Sequence, residues 1–183
     1  MSEPVDLTSL LLPAEWTLEE LENEARRVYF QDLVPNPPKL AVLRGISDLP
    51  VVVTNTEGAF KHFFGESEGW ASYHHQKTGR LDSERLRRVQ WIRPVLEMRV
   101  KGIKIYVNNH SMKPRGYGRD EEIERKRIYV VTQKGLIYFA SLKYLNIGKD
   151  SEHLVLTTAY EPDGGWLRDM LKKHGTICLF PPA

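Results

Sequence analysis

Four short segments in the second half of the chain are rich in β-branched and aromatic residues, and they restrict the possible folds more than any other feature. Short segments of this composition predict β-strands. The segments are Ile103–Val107, Arg127–Thr132, Leu136–Ala140 and Leu154–Tyr160. Three residues that include a glycine separate the second from the third, so these two should form a hairpin. With a further candidate strand at Leu49–Thr54, we expect a mostly antiparallel sheet of four to five strands.

Amphipathic helix patterns stand before and after this set of strands. The first begins at Thr17, which can form a capping box with Glu20. Others cover Glu57–Phe64, Asp82–Trp91 and, after the last strand, Trp166–His174. The predicted fold class is therefore α+β, with N-terminal helices packed on the sheet and a C-terminal helix.

A proline-rich stretch, Pro35–Pro38, cannot continue the first helix and predicts a stiff connection. We therefore expect residues 1–38 to form an N-terminal helical extension and residues 39–183 to form a single α+β domain. A chain of 183 residues with 41% hydrophobic content is long enough for one sizeable core. The acidic helix of the extension is also a candidate docking or self-inhibiting element.

Charge is segregated along the chain, although the formal net charge is only +2. Residues 77–134 carry 16 Lys and Arg against 7 Asp and Glu, whereas the first 76 residues carry 5 against 12. Part of the basic block is the polar stretch Asn108–Glu124, which we expect to form a long loop. A central block this basic is typical of nucleic-acid-binding proteins. The alternative is an ordinary solvated basic face.

Two arginines of the basic helix are the main candidates for phosphate binding. Arg85 and Arg88 are three residues apart and share a helix face, so their guanidinium groups can hold one phosphodiester or two successive ones. The alternative is an exposed basic helix without a ligand. The helix should pack inward through its apolar positions, Leu86, Val89 and Ile92.

The end of the same helix carries two further expectations. Arg87 lies four residues before Trp91 and should stack on its indole. Pro94 lacks a backbone donor, so it should end or kink the helix near Arg93.

The last predicted strand offers hydroxyl groups. Strict alternation places Thr158 and Tyr160 on one face, together with Leu154 and Leu156. Two adjacent hydroxyls at a strand end can bind a phosphate oxygen or orient a histidine. Thr and Tyr are also ordinary strand formers, which is the alternative interpretation.

His74 and His75 are the candidate proton-transfer groups, since imidazoles titrate near neutral pH. Adjacent side chains diverge on a helix or a strand, so at most one of the two should be central unless the segment is a loop. A second acid or base would then come from Tyr160, Lys104, His110 or His153.

Several classes of protein are poorly supported. The single cysteine excludes an intramolecular disulfide and a multi-thiolate zinc site. No phosphate-cradling glycine loop, no Gly-x-Ser-x-Gly and no histidine pair at metal-ligand spacing occurs, so we expect neither metal nor cofactor. No apolar run approaches the ~20 residues that span a bilayer, and the start of the chain is acidic. We therefore expect no membrane association and a cytoplasmic location.

The stretch Glu84–Glu97 (ERLRRVQWIRPVLE), followed by strands that end in LTTAY at Tyr160, resembles the phage-associated ribonuclease-like domains of the barnase, EndoU, colicin and RelE (BECR) fold group. The resemblance covers residues 50–170 or so and depends on the order of elements and on these two motifs. It implies a small α+β ribonuclease of the kind found in toxins and in phage or mobile-element proteins.

The resemblance also implies which residues form the site. The family's upstream histidine would correspond to His74 or His75, and its helix arginine to Arg88 or Arg85. Its strand hydroxyls would be Thr158 and Tyr160. The chain departs from the family because its two histidines are adjacent, where a second, spaced histidine is expected. The identity of the general base is therefore open.

The reaction implied is metal-independent attack of a ribose 2′-hydroxyl on the adjacent phosphate, which leaves a 2′,3′-cyclic phosphate and a free 5′-hydroxyl. His75 or His74 would accept the 2′ proton, and Arg88, with help from Lys104, would stabilise the phosphorane. Further RNA contacts would come from Arg85, Lys104 and Arg127. The expected partners are RNA and a cognate antitoxin, immunity protein or phage structural protein. The alternative is a non-catalytic module that binds nucleic acid or protein.

Overall fold

The computed structural model describes residues 4–40, 51–67, 77–112, 123–132, 137–145, 150, 153–162, 164–173 and 177–180. Its helices are α1 (Leu18–Arg26), α2 (Glu57–Phe64), α3 (Ser83–Arg87), α4 (Ile92–Leu96) and α5 (Gly164–Lys173). Its strands are β1 (Val51–Val53), β2 (Gly65–Ser67), β3 (Lys77–Leu81), β4 (Ile103–Met112), β5 (Ile123–Thr132), β6 (Phe139–Leu145), β7 (His153–Tyr160) and β8 (Ile177–Phe180).

Six strands form one sheet in the order β1-β7-β6-β5-β4-β8. All neighbours in this sheet are antiparallel except β1, which pairs with β7 in parallel. The predicted α+β class with a mostly antiparallel sheet is thereby confirmed, and so is the β5–β6 hairpin. The sixth strand is β8, an apolar segment that is not among the predicted strands and that pairs with Ile105–Val107 of β4.

The first helix begins with the predicted capping box. The Glu20 N–H donates to the Thr17 hydroxyl at 3.3 Å, and the Thr17 N–H donates to the Glu20 carboxylate at 2.7 Å. After α1 the chain continues as a π-helical segment, Arg27–Leu33. Leu18, the first residue of α1, is half exposed. The apolar residues that follow it in α1 and in the π-helical segment belong to the core under the sheet: Leu21, Ala25, Val28, Tyr29 and Leu33. The N-terminal segment and the sheet thus share one hydrophobic core.

The second helix supplies an aromatic cluster to the same core. Its three phenylalanines, Phe60, Phe63 and Phe64, are buried as expected, and each lies within 6.1 Å of the Tyr29 ring centroid. The Tyr29 hydroxyl donates to the Thr54 carbonyl at 2.9 Å, which satisfies the polar end of a buried ring. This cluster joins the N-terminal segment to α2.

The basic helix is interrupted earlier than the sequence predicts. The α-helix α3 ends at Arg87, and Arg88 leaves helical geometry with φ −99° and ψ 11°. A short 3₁₀ segment, Val89–Trp91, leads into α4, which runs through Pro94. Pro94 is the third residue of α4, where the backbone N–H would have no intrahelical acceptor, so the proline removes no hydrogen bond. The break is therefore at Arg88, and the prediction of a break near Arg93 was wrong.

A β-bulge in β7 changes which residues share a face. Ser141 of β6 lies opposite Thr158, but the next β6 residue, Leu142, lies opposite Leu156, so Thr157 is an extra residue. An extra residue shifts the alternation by one. Thr158 and Tyr160 still share a face, but it is the face opposite the buried residues of the helix-covered core, Leu154, Leu156 and Ala159. The prediction that Leu154 and Leu156 lie beside the two hydroxyls was wrong.

The two faces of the sheet are covered differently. The N-terminal segment and the helices α2, α3 and α4 pack on one face and form the large core. On the other face, a smaller cluster joins α5 to β5 and β6 through Leu167, Tyr129, Val131 and Phe139. Tyr106 and Tyr160 pack against this smaller cluster.

The strands β4 and β5 are longer than predicted. They pair continuously from Ile103 opposite Thr132 to Met112 opposite Ile123. The polar stretch Asn108–Glu124, expected to be a loop throughout, therefore begins and ends as strand. Polar residues suffice here because the backbone groups that face the neighbouring strand are paired with it whatever the side chains are.

Candidate functional site

The N-terminus of α3 holds its arginines in a fixed place. The Asp82 carboxylate accepts hydrogen bonds from the N–H groups of Glu84 and Arg85 at 2.9 and 3.2 Å. The Asp82 N–H donates to the Phe64 carbonyl at 2.7 Å, which joins the start of α3 to the end of α2. Leu86 is fully buried. Cap and core contact together direct the neighbouring side chains toward the end of β7.

Arg85 is in contact with the last residue of β7. Its guanidinium carbon lies 4.7 Å from the centroid of the Tyr160 ring. The same group approaches the Phe63 carbonyl and the Asp82 carboxylate, each at 3.5 Å. A partly desolvated cation–π contact of this kind contributes about 1–2 kcal/mol. A helix residue and a strand residue that the sequence singled out separately thus meet.

Arg88 is held by two carboxylates. Its Nη1 donates to the Glu84 carboxylate at 2.8 Å and to the Glu84 carbonyl at 2.6 Å. Its Nη2 lies 2.7 Å from Oε2 of Glu161, the residue that follows β7. The side chain is 15% exposed, and its Nε–H is buried without an acceptor among the described residues. A phosphate that binds Arg88 must therefore displace at least one of these carboxylates.

The stacking partner of Trp91 differs from the one predicted. Arg88, not Arg87, lies over the Trp91 ring, at 5.4 Å from its centroid. Arg87 donates from Nε to the Leu12 carbonyl at 3.0 Å and pairs with Glu84 at 3.1 Å. The helix break at Arg88 explains why Arg88 and not Arg87 contacts Trp91, because helical spacing no longer applies between Arg87 and Trp91.

Two tyrosines complete this corner of the molecule. Burial raises the pKa of Tyr160 to about 12, against the opposing effect of the Arg85 charge. Burial also raises the pKa of Tyr138, against the charges of Arg88 and Arg85. Tyr138 is in edge-to-face contact with Trp91 at 5.4 Å. Both hydroxyls therefore stay protonated at neutral pH and can donate hydrogen bonds. We call Arg85, Arg88, Tyr138, Tyr160 and Glu161 the arginine corner.

Thr158 lies beside this corner and Lys104 does not. Thr158 is two residues before Tyr160 on the same face and opposite Ser141. Lys104 is in the same cross-strand row as Tyr160, but β5 and β6 lie between them. Three strand spacings separate their backbones by about 14 Å.

Arg127 is also remote from the arginine corner. It lies opposite Lys143, four residues along β6 from Phe139, which faces Tyr160. Strand spacing and rise put its backbone roughly 17 Å from that of Tyr160. The structure therefore brings together only part of the predicted phosphate-binding set. Arg85, Arg88, Thr158 and Tyr160 lie near one another, whereas Lys104 and Arg127 lie apart from them.

His74 and His75 lie outside the described residues, as does His110's side chain. The segment that carries His74 and His75 is flanked by the paired strands β2 and β3, whose register is Ser67 with Lys77 and Gly65 with Leu81. The base of this hairpin adjoins the α3 cap through the Asp82–Phe64 hydrogen bond.

Sequence reasoning missed Tyr138 and Glu161. Tyr138 was assigned only to a strand, and Glu161 directly follows the last predicted strand. The sequence signal for Glu161 is its position directly after Tyr160, because the residue that follows a strand lies at the end of that strand.

A cavity of about 270 Å³ lies elsewhere, between the N-terminal segment and the 3₁₀–α4 region. Val28, Leu33, Val89 and Pro94 are among its lining residues, whereas no residue of the arginine corner lines it. This cavity and the arginine corner are therefore separate parts of the molecule.

No family model, curated protein or solved structure matches the chain. Within the described ranges, no helix is both long and apolar enough to cross a bilayer. The same ranges contain no group of three or more His, Cys, Asp or Glu arranged to hold a metal ion. The resemblance to the BECR ribonucleases therefore stays a prediction that depends on the sequence motifs.

Proposed function

We propose that this protein is a metal-independent endoribonuclease that acts at the arginine corner. The observation that carries the proposal is the contact of the Arg85 guanidinium with the Tyr160 ring, with Arg88 beside it at the same strand end. Two guanidinium groups next to protonated hydroxyls form a suitable site for a phosphodiester, because each can donate hydrogen bonds to non-bridging oxygens. The basic block of residues 77–134 supplies the attraction for RNA.

Each step of the reaction has a candidate group. His75 or His74 removes the proton of the 2′-hydroxyl, whose oxygen forms a bond to phosphorus. The bond from phosphorus to the 5′-oxygen breaks, and that oxygen takes a proton from the other histidine or from Tyr160. The products are a 2′,3′-cyclic phosphate and a 5′-hydroxyl. Arg88 and Arg85 stabilise the added negative charge on the phosphorane.

The raised pKa of Tyr160 favours a role for its hydroxyl as a hydrogen-bond donor rather than as a general base. With a pKa of about 12, its hydroxyl is protonated across the pH range in which RNA is handled. Tyr160 and Thr158 are therefore assigned to hydrogen bonds with the phosphate. Lys104 and Arg127 are too far away for the same phosphate, and we assign them to contacts with flanking nucleotides.

The test is incubation of the purified protein with total RNA in EDTA, followed by detection of 2′,3′-cyclic phosphate ends. We expect cleavage by the parent protein and a loss of at least 100-fold in the His74→Ala/His75→Ala variant. His62→Ala, a change at an exposed histidine of α2, serves as the matched control. Equal cleavage by the parent and the double variant would show that neither histidine is the base.

A second candidate function is RNA binding without cleavage. It is favoured by the two carboxylates on Arg88, since a phosphate-binding arginine already neutralised by Glu84 and Glu161 is poorly prepared for catalysis. Salt-dependent RNA binding with no cyclic phosphate products would support this function. Under either function, the cytoplasm is the expected compartment, and an acidic antitoxin or immunity protein is the expected inhibitor of the basic block.

A further inference from the structure

The cavity beside the N-terminal segment combines an apolar floor with a few charged groups. Its volume is about 270 Å³. The floor consists of four buried apolar residues, Val28, Leu33, Val89 and Pro94. The charged lining residues are only partly buried, and they are Asp32, Arg93 and Arg99. An apolar interior with a small number of polar groups is the usual composition of a small-molecule site.

One wall of this cavity comes from the π-helical segment. Val28, Asp32 and Leu33 all belong to it. The i→i+5 hydrogen bonds of a π-helix bring residues four and five positions apart onto one face, so these three side chains line the cavity together. Helices of this form are rare and frequently occur at functional sites. The irregular helix thus supplies both apolar groups and a charged group to the cavity.

The end of α4 fixes the position of Arg99. The Arg99 N–H donates to the Pro94 carbonyl at 2.8 Å, and the Met98 N–H donates to a carbonyl one residue further on at 3.1 Å. This pair of hydrogen bonds is the Schellman arrangement of a helix end, in which the left-handed residue is usually glycine. Here that residue is Met98, with φ 56°. Strained backbone of this kind persists only where the surrounding structure holds it, and it is frequent at ligand sites.

The residue after the left-handed position often packs an apolar side chain against the helix, but in this chain it is Arg99. The Arg99 carbonyl accepts a hydrogen bond from the Val5 N–H at 2.6 Å, so its backbone is held on both sides.

The guanidinium group of Arg99 lacks a well-aligned acceptor. Its Nε lies 3.0 Å from a Glu97 carboxylate oxygen, but this buried atom makes no hydrogen bond of good geometry within the described part of the chain. Glu97 also pairs with Arg93, at 3.3 Å, so one carboxylate serves two arginines. A buried donor without an acceptor is costly. An anionic oxygen in the cavity would remove that cost.

We infer that this cavity binds a small amphipathic carboxylate, with the carboxylate at Arg99 and the apolar body against the floor. Arg99 is the partner rather than Arg93, because Arg93 already donates to the Asp32 carboxylate at 3.0 Å and to the Asn36 carbonyl at 2.6 Å. A cavity of about 150 Å³ holds benzene, so one of about 270 Å³ holds roughly ten or eleven non-hydrogen atoms. Octanoate is a probe of this size. The site does not depend on the proposed ribonuclease function.

The experiment titrates the protein with octanoate and with 1-octanol, which has the same chain without the charge, by isothermal titration calorimetry. We expect octanoate to bind more tightly than 1-octanol. Arg99→Gln should weaken octanoate binding by about tenfold or more and change 1-octanol binding by less than about twofold, because only the charge-assisted hydrogen bonds are lost.

Arg168→Gln is the matched control. It removes the same charge from a residue that is 70% exposed on α5 and does not line the cavity. It should leave both affinities unchanged, and thermal unfolding checks that both variants are folded. An octanoate affinity that is unchanged in Arg99→Gln, or equally weakened in Arg168→Gln, would overturn the inference.

A second measurement locates the probe in the unmodified protein, so it tests the site even if Arg99→Gln does not fold. Octanoate should shift the methyl NMR signals of Val28, Leu33 and Val89. The methyl signals of Val131 and Leu167, in the smaller cluster on the other face of the sheet, should stay in place. No binding of octanoate, or shifts of equal size in the two sets of methyl groups, would show that the cavity is not its site.

Discussion

Replacement of Glu161 by glutamine should weaken the fold and strengthen RNA binding at the same time. Glu161 pairs with Arg88 at 2.7 Å, and the two side chains are 40% and 15% exposed. Pairs between exposed charges contribute up to about 1 kcal/mol, and breaking buried pairs costs several times more. For this half-buried pair we expect a loss of about 1 kcal/mol of unfolding free energy, which lowers Tm by about 2–4 °C in a chain of this size.

The gain in binding follows from the same contact. A phosphate at Arg88 must displace the Glu161 carboxylate, and the neutral amide of Glu161→Gln competes less well for the guanidinium. If the phosphate no longer has to break a pair of about 1 kcal/mol, the affinity for RNA should rise about fivefold. Thermal unfolding measures the first effect. Fluorescence anisotropy with a labelled 2′-O-methyl RNA 12-mer, which cannot be cleaved because its 2′-oxygens are blocked, measures the second.

The matched control is Glu57→Gln. It removes the same charge and an ion pair of similar length, the 2.6 Å contact of Glu57 with Arg26. Glu57 begins α2, whereas Arg85 approaches the Phe63 carbonyl near the end of that helix. We expect a small loss of stability there and at most a twofold change in RNA affinity. Equal affinity gains in the two variants would mean that net charge alone is responsible. No gain for Glu161→Gln would refute the assignment of Arg88 to phosphate binding.

Three further predictions concern the tyrosine, a buried leucine and acid stability. Tyr160→Phe keeps the ring under Arg85 but loses the hydroxyl, so kcat/KM should fall by about 10- to 100-fold with Tm nearly unchanged. Leu21→Ala should cost about 2–5 kcal/mol in urea unfolding, because Leu21 is 2% exposed in the shared core. The pKa of Glu84 is lowered from 4.5, mainly by the hydrogen bond from Arg88. The contribution of the Glu84 carboxylate to stability is therefore present above about pH 5 and is lost as the pH falls and the carboxylate is protonated. Glu84→Gln should lose less stability than the parent between about pH 5 and pH 3.

Each of these three predictions would be contradicted by a specific result. A Tyr160→Phe variant with full activity would remove the hydroxyl from the mechanism. Leu18→Ala, at a residue 50% exposed on the same helix, is the control for Leu21→Ala, and it should change stability by less than about 0.5 kcal/mol. Similar losses in both would place the N-terminal segment outside the core. Parallel pH profiles for the parent and Glu84→Gln would show that the ion pairs of Glu84 do not contribute.

The sequence predicted those elements whose signals are local. The capping box at Thr17, the phenylalanine face of α2 and the hairpin of β5 and β6 each depend on residues a few positions apart. Such signals do not need the rest of the fold. A shared helix face singled out Arg85 and a strand end singled out Tyr160, and the structure brings these two side chains into contact.

The predictions that failed were those that assumed a regular helix or strand spacing where the chain has a helix break or a β-bulge. Helical spacing assigned Arg87 to Trp91, but the chain leaves the helix at Arg88. Proline was expected to break the helix, yet Pro94 falls in the first turn of α4, where it removes no intrahelical hydrogen bond. Where the first turn begins depends on how Val89 and Trp91 pack, which is tertiary information.

The bulge at Thr157 determines whether the arginine corner exists at all. Leu154 and Leu156 are fixed in the large core, and strict alternation from them would direct Tyr160 into that core as well. The extra residue moves Tyr160 to the opposite face, where its ring meets Arg85 and the smaller cluster of α5. Bulges often re-orient a side chain beside an active site. The irregular strand end therefore brings the Tyr160 ring to a helix arginine, while Ala159 fills the core position left behind.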